Sequence, residues 1–219
     1  ITDVIWSNAQ DKIAFINTTE TGVSLWVIDY DKRKATKLTE ANLNANMGNP
    51  VAWLKDDSGL LVKFLPANRK PLINTENAVP AGPIISVNEE GQKAQNRTYQ
   101  DLLKNTNDEA NFETLARSEL WKVSLDGKKS KWKEVSLYRS ISTSPDGKYF
   151  LITEMKRPFS YIVPFSRFPT SYNVYDSKGS LVKTIVDVPL IEELPQGFMA
   201  VQTGPRSISW RDDQPATLL

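Results

Sequence analysis

The residue types that most often carry out chemistry in proteins are partly missing from this sequence. Its 219 residues include no histidine and no cysteine. These residues alone therefore cannot form a Ser-His-Asp triad, a thiolate nucleophile, a zinc finger or a disulfide framework. The side chains that remain for binding or catalysis are the carboxylates, lysines and arginines, with 26 acidic and 27 basic residues.

The spacing of the ten glycines excludes three further kinds of site. No two glycines are separated as a G-x-S-x-G nucleophile elbow, a P-loop or a G-x-G-x-x-G dinucleotide fingerprint requires. Two acidic pairs, Asp56-Asp57 and Asp212-Asp213, could be read as calcium ligands, but hairpin-turn residues are the favoured interpretation. We expect no cofactor and no metal.

The charge pattern argues against nucleic acid and against a membrane span. The formal net charge is +1, whereas a nucleic-acid interface shows as a clustered basic excess. The basic run at 128–133 contains one tryptophan, and lysines that guard a strand edge are the favoured interpretation over a nucleic-acid patch. No run approaches the roughly 18 apolar residues of a transmembrane helix.

A repeated unit must position these side chains. An apolar residue, Trp or Thr, a polar turn and then an apolar strand recur from Ile5, Ala52 and Ile141, and the pattern begins again at Ile208. Asp-Gly and Ser-Gly in these turns favour tight hairpins. A second strand pair follows in the first three repeats. Four antiparallel strands per repeat are typical of a β-propeller blade.

We therefore predict an all-β fold, a β-propeller fragment of about three four-stranded blades plus the start of a fourth. The predicted blades are 1–48, 49–139 with an insertion at 66–117, 140–206 with an insertion at 155–171, and an incomplete blade at 207–219. The first insertion is predicted to be partly helical, because apolar residues from Tyr99 to Ala116 recur at helical spacing and Asn107-Asp108-Glu109 favours a helix start.

The number of repeats leads to an expectation about the chain as a whole. Propellers typically close with 4–8 blades, so about three blades cannot complete a ring. We expect the chain to be a fragment of a longer protein. An open ring leaves an unpaired edge and an exposed blade face, so we also expect self-association or poor stability in isolation.

Several segments resemble one peptidase family. They are Thr-Ser-Pro-Asp-Gly-Lys-Tyr at 143–149, Lys-Arg-Pro-Phe-Ser-Tyr-Ile-Val-Pro at 156–164, Ser-Arg-Phe-Pro at 166–169, and the stretches 94–105, 187–190, 206–211 and 215–218. These segments resemble the propeller of the glutamyl endopeptidases, bacterial and chloroplast members of the prolyl oligopeptidase group of serine peptidases. The resemblance extends from about residue 50 to the end of the chain.

The resemblance implies a two-domain protein. In that family the propeller covers a C-terminal α/β-hydrolase domain, which carries the catalytic triad, and restricts entry to peptides. The resemblance thus implies peptide substrates, a hydrolase-domain partner and a periplasmic or secreted location. Because this chain has no histidine, no catalytic residue can be assigned, and we expect no enzyme activity from it alone.

The resemblance also motivates a hypothesis about specificity. Cleavage after Glu needs a cation near the acidic side chain, and arginine suits bidentate pairing with a carboxylate. We hypothesise that Arg157 or Arg167 faces the substrate, and Arg97 is the third candidate. The alternative is that they brace their loop through backbone carbonyls or pair with Glu154 or Asp176. Nearby aromatic residues are expected to pack in the core of the insertion rather than stack on a ligand: Phe159, Tyr161, Phe165, Phe168 and Tyr172.

Two other functions remain open at the level of sequence. One is a stand-alone propeller that binds protein partners. The other is a propeller glycosidase, which would need two or three carboxylates around a central channel, and no acidic cluster outside the turns supports it. A G-x-S-x-G motif after Leu219 would favour the peptidase, and a further blade followed by a stop would favour the binding module.

Overall fold

The computed structural model describes residues 1–74, 99–193 and 203–219. In these parts of the chain eleven β-strands and one α-helix form, and every strand pair is antiparallel. The predicted all-β propeller class is confirmed. Among the described residues, no helix has the length and apolar character needed to cross a bilayer.

The first sheet is formed by the first repeat. Strands β1 (Thr2–Trp6), β2 (Lys12–Thr19), β3 (Gly22–Asp29) and β4 (Lys34–Lys37) lie side by side in chain order. The β-branched and aromatic residues of β2 and β3 favour this pleated, half-buried surface. We refer to these four strands as the first blade.

The second sheet has seven strands, also in chain order. They are β5 (Val51–Trp53), β6 (Gly59–Phe64), β7 (Ser118–Ser124), β8 (Lys129–Thr143), β9 (Tyr149–Met155), β10 (Thr170–Asp176) and β11 (Leu181–Val188). The first half of the 15-residue β8 pairs with β7, and its second half pairs with β9. We call β5–β8 the second blade and β8–β11 the third. In the fourth repeat Trp210 and Leu218 form an isolated bridge.

Alternation of side chains gives each blade two apolar faces, and neighbouring blades pack through them. Ala14 and Leu25 of the first blade belong to one buried cluster with Leu60 of the second blade, and all three are 0% exposed. On the opposite face of the second blade, Leu61 packs with Phe150 of the third. The blades are therefore held together by burial of apolar surface.

The connections between strands divide the molecule into two ends. Tight turns join the first to the second and the third to the fourth strand of each blade, and we call that end the turn face. The second and third strands are joined at the opposite end, which we call the insertion face. The connection there is 20–21 in the first blade, but it lengthens to 65–117 and 156–169 in the others.

The insertion contains one helix, and the predicted helical spacing extends beyond its N-terminal end. Helix α1 spans Thr106–Ala116, and the side chain of Asn105 caps it by accepting hydrogen bonds from two backbone N–H groups at its start. The expected start at 107–109 lies within this first turn. The predicted helical spacing from Tyr99 to Leu103 is wrong. These apolar residues pack into the insertion core from an irregular segment, because that core fixes them without a helix.

Candidate functional site

Aromatic residues from two insertions form one packed core on the insertion face. The Phe112 ring of α1 meets the rings of Phe159 and Phe168 edge-on, with centroids 5.2 and 5.7 Å away. Phe159 and Phe168 stack on each other at 5.2 Å and are both buried, as predicted. The prediction is wrong for Tyr161 and Phe165, which are 38% and 47% exposed, because each lies at the rim of this core.

Residue Tyr172, the fifth aromatic of that group, is half-buried in β10.

The end of α1 is also fixed by contacts with a distant segment. The buried amide of Asn44 donates to the carbonyls of Leu115 and Arg117, at 2.9 and 2.8 Å. These carbonyls have no partner within the helix, so the segment before the second blade supplies one. Three separate segments thus hold the insertion face together.

Arg157 is tied to the helix by two carboxylates. Its guanidinium pairs with Glu109, and its Nη2 lies 2.5 Å from a carboxylate oxygen of Glu113. Glu109 also accepts a 2.7 Å bond from the Tyr161 hydroxyl. That bond, with help from Arg157, holds the pKa of Glu109 below its ordinary value. Bonds to Glu113 first and Glu109 second raise the pKa of Arg157, which stays a cation.

The expected partners Glu154 and Asp176 are wrong for Arg157. Glu109 and Glu113 are one helical turn apart, so both carboxylates face the same side and receive the guanidinium together. Glu154 already accepts bonds from Tyr175 at 2.6 Å and Ser136 at 3.1 Å. Arg157 therefore braces the third-blade insertion against the second-blade insertion.

Arg167 has a different environment. It ends a short 3₁₀ turn, Phe165–Arg167, and its guanidinium lies 5.0 Å from the centroid of the Tyr99 ring. Its carbonyl accepts a 3.1 Å bond from Ile191, but its buried Nη1 has no hydrogen-bond partner. The buried Tyr99 hydroxyl beside it also lacks a partner. Within the described parts of the chain, Arg167 makes no ion pair. Arg97, the third candidate, lies outside the described residues.

A groove that the sequence did not reveal runs along the outer side of α1. It has a volume of about 270 Å³, and its walls include the cations Arg69, Lys70 and Arg117 and the carboxylate Glu113. Arg117 pairs with Glu113 at 2.9 Å, and Arg69 donates to a helix carbonyl at 3.3 Å. The groove is therefore positively charged overall, and its residues lie too far apart in the chain to form a recognisable motif.

The sequence pattern also did not predict a buried lysine. Lys63 of β6 is 0% exposed, and its ammonium donates to the carbonyls of Met47, Gly48 and Tyr138. Burial lowers the pKa of Lys63 to about 8, although the charge of Asp3 acts in the opposite direction. In sequence the only signal is a cation inside an otherwise apolar run, 60–65.

The turn face carries the acidic pairs, and they act as turn residues. The carboxylate of Asp57 accepts bonds from the backbone of Asn8 and Ala9, each at 2.8 Å, which join the first blade to the second. Asp56 binds within its own turn, and Asp213 pairs with an arginine two residues away. Among the described residues no group of three or more potential ligands could hold a metal ion.

The basic run at 128–133 contacts both its own blade and the third blade. Lys131 pairs with Glu119 at 3.1 Å and with Glu134 at 2.6 Å. Trp132 donates to a turn carbonyl of the third blade, and Lys133 lies 4.0 Å from the centroid of the Tyr175 ring. Since this half of β8 pairs only with β7, its lysines lie along a strand edge, as the favoured interpretation expected.

Comparison with known proteins connects this geometry to a peptidase family. The chain is 39% identical, over 98% of its length, to a protein of Arabidopsis thaliana named probable glutamyl endopeptidase, chloroplastic. It is 36% identical, again over 98% of its length, to a protein of the same name from Oryza sativa subsp. japonica. The resemblance to the glutamyl endopeptidases is confirmed. The chain spans 23% and 24% of the lengths of these two relatives.

The similarity to the glutamyl endopeptidases agrees with the fold. A TolB structure from Agrobacterium tumefaciens matches 85% of the chain and 50% of that protein, with a TM-score of 0.50 and 11% sequence identity. TolB is a β-propeller, and at this identity the likeness concerns the fold alone. No protein-family model matches the chain.

Proposed function

We propose that this chain is the propeller portion of a serine endopeptidase that resembles the glutamyl endopeptidases. In this proposal the propeller gates and positions peptides for an α/β-hydrolase domain that the chain does not contain. Similarity over 98% of the chain supports it, and so does the short span, about a quarter of each relative. A periplasmic or secreted location remains a prediction.

The observation that carries the proposal further is the contrast between two arginines. Arg157 is neutralised by the carboxylates of Glu109 and Glu113. Arg167, about ten residues later in the same insertion, has a buried nitrogen without an acceptor and no ion pair within the described residues. We therefore assign substrate binding to Arg167 and a bracing role to Arg157.

The environment of Arg167 suits a carboxylate ligand. Its guanidinium is partly withdrawn from water against the Tyr99 ring, so an incoming carboxylate meets a cation in a medium of lowered dielectric. The fixed fork of an arginine favours the two oxygens of a Glu side chain over the single oxygen of Gln. The chain contributes binding and orientation in this scheme, and no proton transfer.

The test is substrate preference in the full-length protein. We expect Arg167→Ala to lower kcat/KM for a Glu-containing peptide roughly tenfold or more relative to its Gln counterpart, because one charge-assisted pair is lost. Arg157→Ala is the matched control. It should loosen the insertion but leave the Glu-to-Gln ratio near that of the wild type.

Two outcomes would contradict the proposal at different levels. An unchanged Glu-to-Gln ratio in Arg167→Ala would remove the assigned role of this arginine. A full-length protein that hydrolyses no peptide at all would contradict the peptidase itself and favour the stand-alone binding module.

A further inference from the structure

The groove along the outer side of α1 is lined by segments that all belong to the second blade or its insertion. The helix contributes residues of one stripe near its C-terminal end: Ala110, Glu113, Thr114 and Arg117. The segment that follows β6 contributes Pro66, Asn68, Arg69 and Lys70. Val135 of β8 completes the lining. A strand, a helix and a connecting segment of one blade thus form the groove together.

Hydrogen bonds fix the segment after β6 against the helix. The Arg69 Nε donates to the carbonyl of Thr114 at 3.3 Å. Four residues further along, Asn111 exchanges two bonds with the backbone of Ile73, at 2.7 and 2.9 Å. The backbone N–H of Arg69 also donates to the carbonyl of Pro66 at 3.0 Å, which closes a turn. The groove is therefore preformed, and a ligand does not need to order its walls.

The cations of the groove outnumber its anions. Three of its lining side chains are cations and one is a carboxylate: Arg69, Lys70, Arg117 and Glu113. Glu113 is shared, because it pairs with Arg117 at 2.9 Å and also with Arg157 of the neighbouring insertion. Arg69 and Lys70 make no ion pair within the described parts of the chain. The groove thus keeps positive charge that an anionic ligand complements.

The cations also keep unused hydrogen-bond donors. Among the described residues, the side chain of Arg69 donates through Nε and that of Arg117 through Nη2. The side chain of Arg117 is 54% exposed, and Lys70 is exposed as well. Guanidinium and ammonium groups donate charge-assisted bonds to carboxylate oxygens. Aliphatic carbons next to such a carboxylate would meet the apolar part of the lining: Pro66, Ala110 and Val135.

The size of the groove narrows the kind of ligand. Its volume of about 270 Å³ lies just below the roughly 300–1,000 Å³ of sites that enclose a small molecule. It suits one or two side chains of a longer ligand. A carboxylate on a short aliphatic stem, as in Glu, matches both the cations and the apolar lining.

We propose that this groove binds acidic side chains of a peptide segment, whose carboxylates pair with Lys70, Arg117 and the free guanidinium nitrogens of Arg69. The site is separate from Arg167. It holds and orients an acidic segment without reacting with it, so it does not depend on peptidase activity.

The experiment is fluorescence anisotropy with the full-length protein and a short fluorescein-labelled peptide of alternating Glu and Ala. The protein is first treated with diisopropyl fluorophosphate, which blocks serine peptidases, so that the probe stays intact. The same peptide with Gln in place of Glu is the reference for the label. We expect the Glu peptide to bind roughly tenfold more tightly, because three cations face its carboxylates. Added salt should reduce this difference, since it screens exposed charges.

Lys70→Gln is the most direct variant, because Lys70 is exposed and has no ion pair to lose within the described residues. We expect it to weaken binding of the Glu peptide roughly threefold and to leave the Gln peptide unchanged. Adding Arg117→Gln should weaken the Glu peptide further, to roughly a tenfold loss. Lys178→Gln, at an exposed lysine of the turn face, makes the same change in net charge and is the matched control. It should bind like the wild type.

Three results would overturn the proposal. Equal affinity for the Glu and Gln peptides would show that the protein does not recognise the carboxylates. Equal losses in Lys70→Gln and Lys178→Gln would show that binding follows net charge rather than the groove. Binding that is lost in Arg167→Ala but intact in Lys70→Gln would assign the peptide to Arg167 alone. Binding that survives Arg167→Ala supports a separate site, whatever that variant does to cleavage.

Discussion

The two ends of this molecule are held by different kinds of contact. On the turn face the bonds within each blade are local and repeated. Ser7 binds Asp11 at 2.9 Å, and Ser144 of the third blade binds Asp146 at 2.7 Å in the corresponding turn. On the insertion face the bonds join distant segments. Arg157, for example, reaches a carboxylate 48 residues away on α1.

The difference separates two sources of stability. Local turn bonds recur because each hairpin contains a similar tight turn, and polar turn residues stabilise that turn in a similar way. The insertion face is specific to two blades and depends on burial of aromatic surface and on ion pairs across the chain. Variants on the two ends should therefore differ in how much they change the free energy of unfolding.

The largest effect is expected in the insertion core. Phe168→Ala removes a 2%-exposed ring that contacts two others, and we expect it to lower the free energy of unfolding by about 3–5 kcal/mol. Urea unfolding would measure it. Phe165→Ala, at a 47%-exposed ring in the same loop, is the control and should cost less than about 1 kcal/mol. Equal losses would mean that the aromatic core does not hold this face together.

A second effect should depend on pH. The pKa of Lys63 is about 8 in the folded protein, below its ordinary value of 10.5. Between these values the unfolded chain binds more protons, so stability contributed by this residue rises with pH. We therefore compare the wild type with Lys63→Met, which has no titrating group at this position. Between pH 7.5 and pH 10, the free energy of unfolding of the wild type should rise by about 1–3 kcal/mol relative to that of Lys63→Met.

The measurement is the free energy of unfolding of both proteins at several pH values across that window. Lys34→Met, at an exposed position of β4, is the control and should follow the wild type. Parallel curves for the wild type and Lys63→Met would show that burial of this ammonium does not disfavour its charge.

The smallest effect is expected on the turn face. Asp57→Gly removes the carboxylate that joins two blades but suits the positive φ of this residue, 54°. We expect a loss of about 1 kcal/mol, because the bonds are exposed and other contacts remain. Gln10→Gly, at a φ of 59° without such bonds, is the control and should be neutral or slightly stabilising. A loss as large as that of Phe168→Ala would contradict the contrast between the two ends.

The turn face and the insertion face also differ in how much of their structure the sequence predicts. The hairpins and the strand pairs of the blades could be predicted, because turn residues and alternating apolar residues act locally. The start of the helix near 107–109 can be predicted from its polar first-turn residues. Tyr99 and Leu103 also fit helical spacing, but they pack through tertiary contacts rather than helical ones. Local pattern cannot separate these two cases.

The candidate site depends on contacts between distant segments, and the spacing of residues in the sequence does not encode such contacts. The carboxylates that bind Arg157 lie in another insertion, so Glu154 and Asp176 were natural but wrong choices. Lys63 lies in an apolar strand, and only the fold shows that three carbonyls converge on it. The charge of Arg167 makes it a candidate in the sequence, and only the structure shows that its buried Nη1 lacks an acceptor within the described residues.

The shared strand β8 has a mechanical consequence. Because one uninterrupted strand ends the second blade and begins the third, these two blades have no linker about which they could swing apart. The first and second blades are instead joined by the segment 38–50, between β4 and β5. Any widening of the propeller by rigid-body motion within this chain would therefore open the seam between the first blade and the other two, which share a strand.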